Sequence, residues 1–488
     1  MLRLSSYKIN RINIFYFVLL IGYIISQWPF LIADADIHMA YGRGSWTDEG
    51  LNTCQIRNFV NHGHFNLLDC DNLLKTPLFS FFLFPFFKFI GISLFKARLI
   101  TTLFCTIILL LGFLHDKLRI YIGGVFLLST MLFLPIHQYS HLCLAEIYSS
   151  LLIILSALTY SFFNPKKNKS KISRIILLLA LVIGFKIQFI YVLGIPLLVY
   201  SLSYFQDQKT EKRRELVWSF ILIGSLLLIF LFVWYLPFTI EWKQIAKQQS
   251  GGFSFSKLSF NLIKENLTLN FLSLRLLPFT LLFITTFFIA IYHLFTKKYS
   301  INYHSLLLFS ISWLIVELHK LGLEYLPTRY MISFYISMGF LFSIVLGNFL
   351  LFSNTYTRLI CWGCLISIFL FNSFIYKIAY ETRSFTVSKA NSYVHSITKD
   401  NDVVIGPWSP TLTWETKGYS YPIWKNFLGK RKIIKFYHPD LIISEFNEED
   451  SGLAYKKNKI HLNKIGDSLT QLRVVLWDLN VFRVVQHN

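Results

Sequence analysis

"TPLFSFFLFPFFKF", residues 76–89, decides how this chain lies in a membrane. It is apolar and aromatic, but it is short, and Pro77 and Pro85 interrupt it. A span needs about 20 apolar residues, and a run of roughly 10–14 is more often interfacial or re-entrant. Reading it as non-spanning places every short basic linker on one side. Those linkers are Arg3, Lys8 and Arg11 ahead of the first apolar run, "NPKKNKSKISR" (164–174), "QKTEKRRE" (208–215) and the Lys297-Lys298 turn. The side that carries them is then cytoplasmic. A spanning 76–89 would move the later linkers outside while the N-terminus stayed in.

Working outward, apolar runs at 12–32, 94–115, 119–137, 142–163, 173–187, 189–205, 215–237, 275–296, 303–319, 329–351 and 358–379 predict about eleven transmembrane helices. The 488 residues are 54% hydrophobic with mean hydropathy +0.50, too apolar for an ordinary soluble domain. A net charge of +21 would suggest nucleic acid in a soluble protein. Here the cations sit in short linkers and no nucleic-acid-binding motif appears, so membrane orientation explains them and no nucleic-acid partner is expected. The first run is followed by Ala33-Asp34-Ala35, like a signal-peptide cleavage site. It exceeds a typical apolar core of about 7–15 residues and reads as an uncleaved span.

The expected architecture is therefore a polytopic α-helical membrane domain, 1–380, with a first external loop at 33–93, and a small α/β domain at 381–488. Loop and tail both lie extracytoplasmically, on a plasma (inner) membrane. In the tail, 402–406, 431–437, 440–444 and 472–479 read as strands and 386–397 as a helix. Of six cysteines, Cys105, Cys143, Cys361 and Cys364 lie in or beside apolar runs and read as packing residues. Cys54 and Cys70 share the first loop, where an oxidising compartment would permit a disulfide.

Ionisable residues gather at the outer ends of the spans: Arg98, Glu146, Lys186, Glu317, His319, Glu324 and Arg329. Charges at membrane depth are costly and point to function, and their convergence implies a polar cavity open to the outside. Four motifs share that side: "TDEG" with Asp48 and Glu49, "LLKTPL" with Lys75, "LAEIY" with Glu146, and "LPTRYMISFYISMGFL" with Arg329 and Tyr330.

Their order resembles the C-type (GT-C) glycosyltransferase superfamily, in the branch of lipid A aminoarabinose transferases and protein O-mannosyltransferases. In that pattern an Asp-Glu pair follows the first span and a Lys-x-Pro-Leu comes about one amphipathic helix later. "SLFKARLITTLF" (93–104) is similar to the family's Arg-Leu helix start. A carboxylate then opens the fourth span, and Pro-x-Arg-Tyr begins a late one. The resemblance covers roughly residues 12–380. It implies an inverting transferase that takes a sugar from a polyprenyl phosphate and passes it to a lipid, glycan or protein acceptor, with membrane lipids around it. It also implies catalytic roles for Asp48, Glu49 and Glu146, and donor-phosphate binding by Lys75, Arg329, Lys186 and Tyr330. The Phe-rich 79–89 segment could line the lipid groove. Asp34 and Asp36 compete with Asp48, because "DAD" imitates the Asp-x-Asp of other branches. The aminoarabinose branch has a Glu before its Lys-x-Pro that contributes to a metal site. Leu74 stands there in this chain and no matching His occurs in 238–274, which counts against a divalent metal; His62 and His64 are better read as surface. The alternatives to a transferase are a lipid-linked glycan transporter or flippase, and a glycan polymerase or ligase.

Overall fold

The structure, a computed structural model, describes residues 11–36, 44–110, 134–162, 168–206, 208–248, 260–273, 276–296, 300–324, 326–424, 433–445 and 449–485. Among these, six helices are long and apolar enough to cross a membrane: Ile187–Gln206, Thr210–Ala246, Leu277–Thr296, Ile301–Gly322, Thr328–Leu350 and Thr355–Ile397, as continuous helical stretches. Shorter apolar helices cover Tyr16–Phe30, Pro77–Ile90, Ala145–Ser161 and Ile172–Phe185. Helix is what the bilayer demands, because every backbone polar group in hydrocarbon must be satisfied within its own segment. The expected span 119–137 lies mostly outside the described residues, as does the end of 94–115. The Thr328–Leu350 helix is buried nearly all round at the centre. Peripheral helices keep apolar faces outward, such as Phe220, Ile221, Leu228 and Phe232 on the Thr210–Ala246 stretch, as lipid-facing surfaces do.

Residues 44–93 are more ordered than the single polar loop expected from sequence. They hold helices Gly44–His62, Asn72–Lys75 and Pro77–Ile90. Pro77 sits in the first turn of the last of these, where its missing N–H costs nothing, while Pro85 lies inside it. Phe79, Leu83 and Phe87, four apart, are buried, while Phe81, Phe86 and Phe89 are exposed. That amphipathic pattern suits a helix lying along the membrane interface.

The tail carries a five-stranded mixed sheet of β1 (Val403–Ile405), β2 (Tyr419–Tyr421), β3 (Leu441–Glu445), β4 (Gly466–Val474) and β5 (Trp477–Val484), in the order β2-β1-β3-β5-β4. β1 runs parallel to β2 and β3, and β5 is antiparallel to β3 and β4. Helix Thr386–Ile397 forms where expected. Two expectations are corrected. The 431–437 strand is instead a short helix, Ile433–Tyr437, with Ile433 buried; a four- or five-residue apolar run does not distinguish the two conformations. The single strand at 472–479 is the turn of the β4–β5 hairpin. Its Val475 has φ 54°, a left-handed conformation that a β-branched residue rarely takes and that no Gly or Asn announces.

The tail is fastened to the membrane part by specific caps. Asp34 accepts hydrogen bonds from Ser384 Oγ (2.7 Å), Thr386 N (2.8 Å), Thr386 Oγ1 (2.7 Å) and Val387 N (2.9 Å), capping helix Thr386–Ile397 from a distant part of the chain.

Candidate active site

Successive residues on an α-helix point about 100° apart, so the neighbours Asp48 and Glu49 on helix Gly44–His62 face different surroundings. Glu49 turns inward. Arg98 donates to it from Nε (3.0 Å to Oε1, 3.2 Å to Oε2) and from NH2 (2.6 Å), and the Cys143 backbone N–H adds a bond of 2.7 Å. Arg98 also donates to the carbonyls of Phe30 and Ala33. Both side chains are only 2% exposed. This buried pair joins four segments of chain.

Asp48 is 24% exposed, against 3% for Glu146. Its Oδ2 lies 2.5 Å from Arg329 Nε. Arg329 is held on the short helix Thr328–Met331 and packs flat on Gly44. A Cβ at Gly44 would stand 2.4–2.6 Å from the guanidinium, so a larger residue there would push the Arg329 side chain aside. Although partly open, Asp48 is enclosed by enough protein that burial pushes its carboxyl above the ordinary range. Arg329 opposes the rise, Glu146 adds to it, and Lys186 and Lys75 oppose it.

Tyr330 gathers the cations. Arg329 Cζ lies 4.9 Å and Lys186 Nζ 5.3 Å from its ring centre. Lys186 reaches this point because the chain breaks there. It adopts an extended backbone (φ −153°, ψ 109°) between helix Asn168–Phe185 and the helical stretch from Ile187. Each cation has a carboxylate partner: Arg329 with Asp48, Lys186 with Glu146 Oε1, and Lys75 with Asp71 Oδ2. Burial works against the Lys75 charge, but Asp71 outweighs it and raises the ammonium above its usual value. The second oxygen of Glu146, Oε2, has no hydrogen-bond partner among the described residues.

The structure thus brings Asp48, Glu146, Lys75, Lys186, Arg329 and Tyr330 together and draws Glu49 away into a closed pair. Asp34 is spent on the tail, and Asp36 accepts from Gln138 Nε2 at 3.0 Å. Glu317 is also closed: Trp313, Tyr191, Ser333 and Lys320 all donate to it. Leu74, at the position of the family's metal-site Glu, is fully buried in a cluster with Ile245. Among the described residues no three His, Cys, Asp or Glu side chains meet as a metal site requires.

Sequence reasoning missed two partners. Asp71 stands four residues before Lys75, a spacing that pairs charges on a helix and was legible. Gly44 carries no local signal at all, because the side chain packed on it, Arg329, lies far along the chain.

No protein-family model matches the sequence, and no curated protein matches it. Among solved structures, the chain is similar to the crystal structure of ArnT from Cupriavidus metallidurans bound to undecaprenyl phosphate. The TM-score is 0.60, over 97% of this chain and 98% of that one, at 11% sequence identity. The likeness is one of fold, and it extends over almost the full length of both chains. This chain is a polytopic membrane protein that shares the fold of that structure, with a small sheet domain in its tail.

Proposed function

We propose that this protein transfers a sugar from a polyprenyl-phosphate donor to a lipid, glycan or protein acceptor, with inversion, at the extracytoplasmic face of the plasma (inner) membrane. The observation that carries the reading is the pair of cations, Arg329 and Lys186, on the ring of Tyr330, beside Asp48, the most exposed carboxylate of the cluster. The solved neighbour was crystallised with undecaprenyl phosphate, which supports a lipid phosphate as the ligand class.

The chemistry follows from the groups present. An acceptor hydroxyl attacks the anomeric carbon from the face opposite the phosphate, and the bond from that carbon to the phosphate oxygen breaks. Asp48 accepts the hydroxyl proton; such help is typically worth ~10²–10⁴ in rate. Lys75, Lys186 and Arg329 stabilise the charge that develops on the departing phosphate, and they are already in place before it appears. Glu146 holds Lys186 and offers its free oxygen to a hydroxyl or amine of the sugar. Glu49 acts by position: clamped to Arg98, it fixes the helix that carries Asp48. The exposed phenylalanines of helix Pro77–Ile90 flank the polyprenyl chain.

At rest each cation is neutralised by a carboxylate, so the incoming phosphate must share Arg329 with Asp48 and Lys75 with Asp71. Binding of a polyprenyl phosphate to purified protein tests the assignment. Lys75→Ala and Arg329→Ala are expected to weaken it at least tenfold at equal amounts of folded protein, a condition the comparison needs because Lys75→Ala leaves the buried Asp71 carboxylate unpaired. Wild-type affinity in both variants would mean that the phosphate binds elsewhere.

A further inference from the structure

Lys320 lies near the end of the Ile301–Gly322 stretch, outside the cluster described above, and its side chain is 7% exposed. Its ammonium reaches Glu317 Oε2 (2.7 Å), Ser333 Oγ (2.6 Å) and the backbone carbonyl of Tyr330 (2.7 Å). An ammonium has three N–H donors, so this one is fully used and has none to offer a substrate. The Ser333 hydroxyl passes its own proton to Glu317 Oε2 (2.9 Å), and Tyr191 and Trp313 complete the carboxylate at Oε1 (2.9 and 3.0 Å). Lys320 Nζ also stands 5.3 Å from the ring centre of Phe189 and 5.4 Å from that of Tyr191.

These contacts join two particular segments. Phe189 and Tyr191 belong to the turn Ile187–Leu193, directly after Lys186, and Tyr330 belongs to the turn Thr328–Met331 with Arg329. One buried ammonium therefore touches both segments that carry cations to the Tyr330 ring. The bond to the Tyr330 carbonyl holds the backbone of the very residue on which Arg329 and Lys186 converge. A buried ion pair is a poor device for stability alone, since neutral groups of similar size often serve as well. What this one fixes is geometry.

We propose that Lys320, held by Glu317 and Ser333, is a positioning residue that sets Tyr330, Arg329 and Lys186 in place for the donor phosphate, an inference that rests on the lipid-phosphate reading above. It touches no reacting group and acts through Tyr330. Electrostatic stabilisation of a departing phosphate depends on cations placed in advance, and Lys320 holds the backbone that places them.

The test measures binding of undecaprenyl phosphate to purified full-length protein at equal amounts of folded material. Removing Lys320 alone leaves a buried carboxylate unpaired, so the main variant is Glu317→Gln with Lys320→Met, which removes both charges and keeps an acceptor for Tyr191 and Trp313. This pair of substitutions should weaken binding about tenfold, the size of coupling expected within one bonded network. In an Arg329→Ala background the same pair should cost much less, because a cation that it positions is gone. Wild-type affinity in the Glu317→Gln, Lys320→Met protein would overturn the proposal. So would an equal loss with and without Arg329, which is the signature of a general structural role. Lys320→Met alone, compared at equal folded amounts, carries the same expectations if the paired variant does not fold. Failure of the wild type itself to bind undecaprenyl phosphate would reject the lipid-phosphate reading and this inference with it. Binding by the wild type with no loss in the variants rejects the inference alone.

Discussion

At the scale of single residues, the account separates two adjacent acids by what surrounds them. Asp48 is 24% exposed and pairs with Arg329, whereas Glu49 is sealed by Arg98 and a backbone N–H. Breaking a buried ion pair by removing one partner costs on the order of 3–5 kcal/mol. Glu49→Gln should therefore lower the detergent melting temperature markedly and reduce activity in proportion to folded protein. A loss of turnover at unchanged melting would instead make Glu49 a catalytic group. The raised carboxyl of Asp48 also fixes a pH dependence. A base must be deprotonated, so activity is lost as pH falls through its pKa, and burial moves that limb above the ordinary carboxylate range. Arg329 lowers the Asp48 pKa, so Arg329→Gln removes a charge that favours the ionised form. The acid limb of kcat/KM should shift to higher pH in that variant, whatever its maximal rate. A limb that stays in place or moves down would show that Asp48 is not the titrating base.

At the scale of elements, helix Gly44–His62 is positioned from two sides. Glu49 and Arg98 fix it to the membrane helices. On the tail side, Gly50 packs on Pro410, Arg57 lies 4.2 Å over the Trp414 ring, and Asn58 exchanges two hydrogen bonds with the backbone of Ser420 (2.8 and 3.0 Å). Asp34 completes the docking by capping helix Thr386–Ile397. Asp34→Ala removes that cap and should cost about 2 kcal/mol of stability, a strong N-cap effect. Limited proteolysis should then cut near Ser384 sooner than in wild type; unchanged protection would mean that the cap does not hold the tail. Residues 44–93 also mark how far sequence reading reached. Their charges and the short helix at 76–89 were legible from composition and length. The helix around Asp48 was not, since its apolar face is completed by the tail rather than by its own repeat. The Lys186 break, by contrast, falls where the apolar runs 173–187 and 189–205 part.

At the scale of the whole molecule, the number and placement of apolar runs was enough to indicate a polytopic bundle with a small α/β tail, because the bilayer leaves few alternatives. The tail's details were less legible: its strands are short, and its hairpin turns on Val475 without a turn-forming residue. In the site, residues lying at helix ends were readable as ionisable groups at membrane depth. Their partners were not, because Arg329 and Asp48, or Lys186 and Glu146, meet only through the fold. The central claim is that this fold carries sugar transfer with Asp48 as the base. Transfer of a radiolabelled sugar from a polyprenyl-phosphate donor tests it most directly, with wild type, Asp48→Asn and Asp36→Asn compared at equal amounts of folded protein. The account predicts transfer by the wild type, a loss of roughly 10²–10⁴-fold in Asp48→Asn at nearly unchanged melting, and a much smaller loss in Asp36→Asn. Near-normal turnover by Asp48→Asn, or a larger loss in Asp36→Asn, would contradict it.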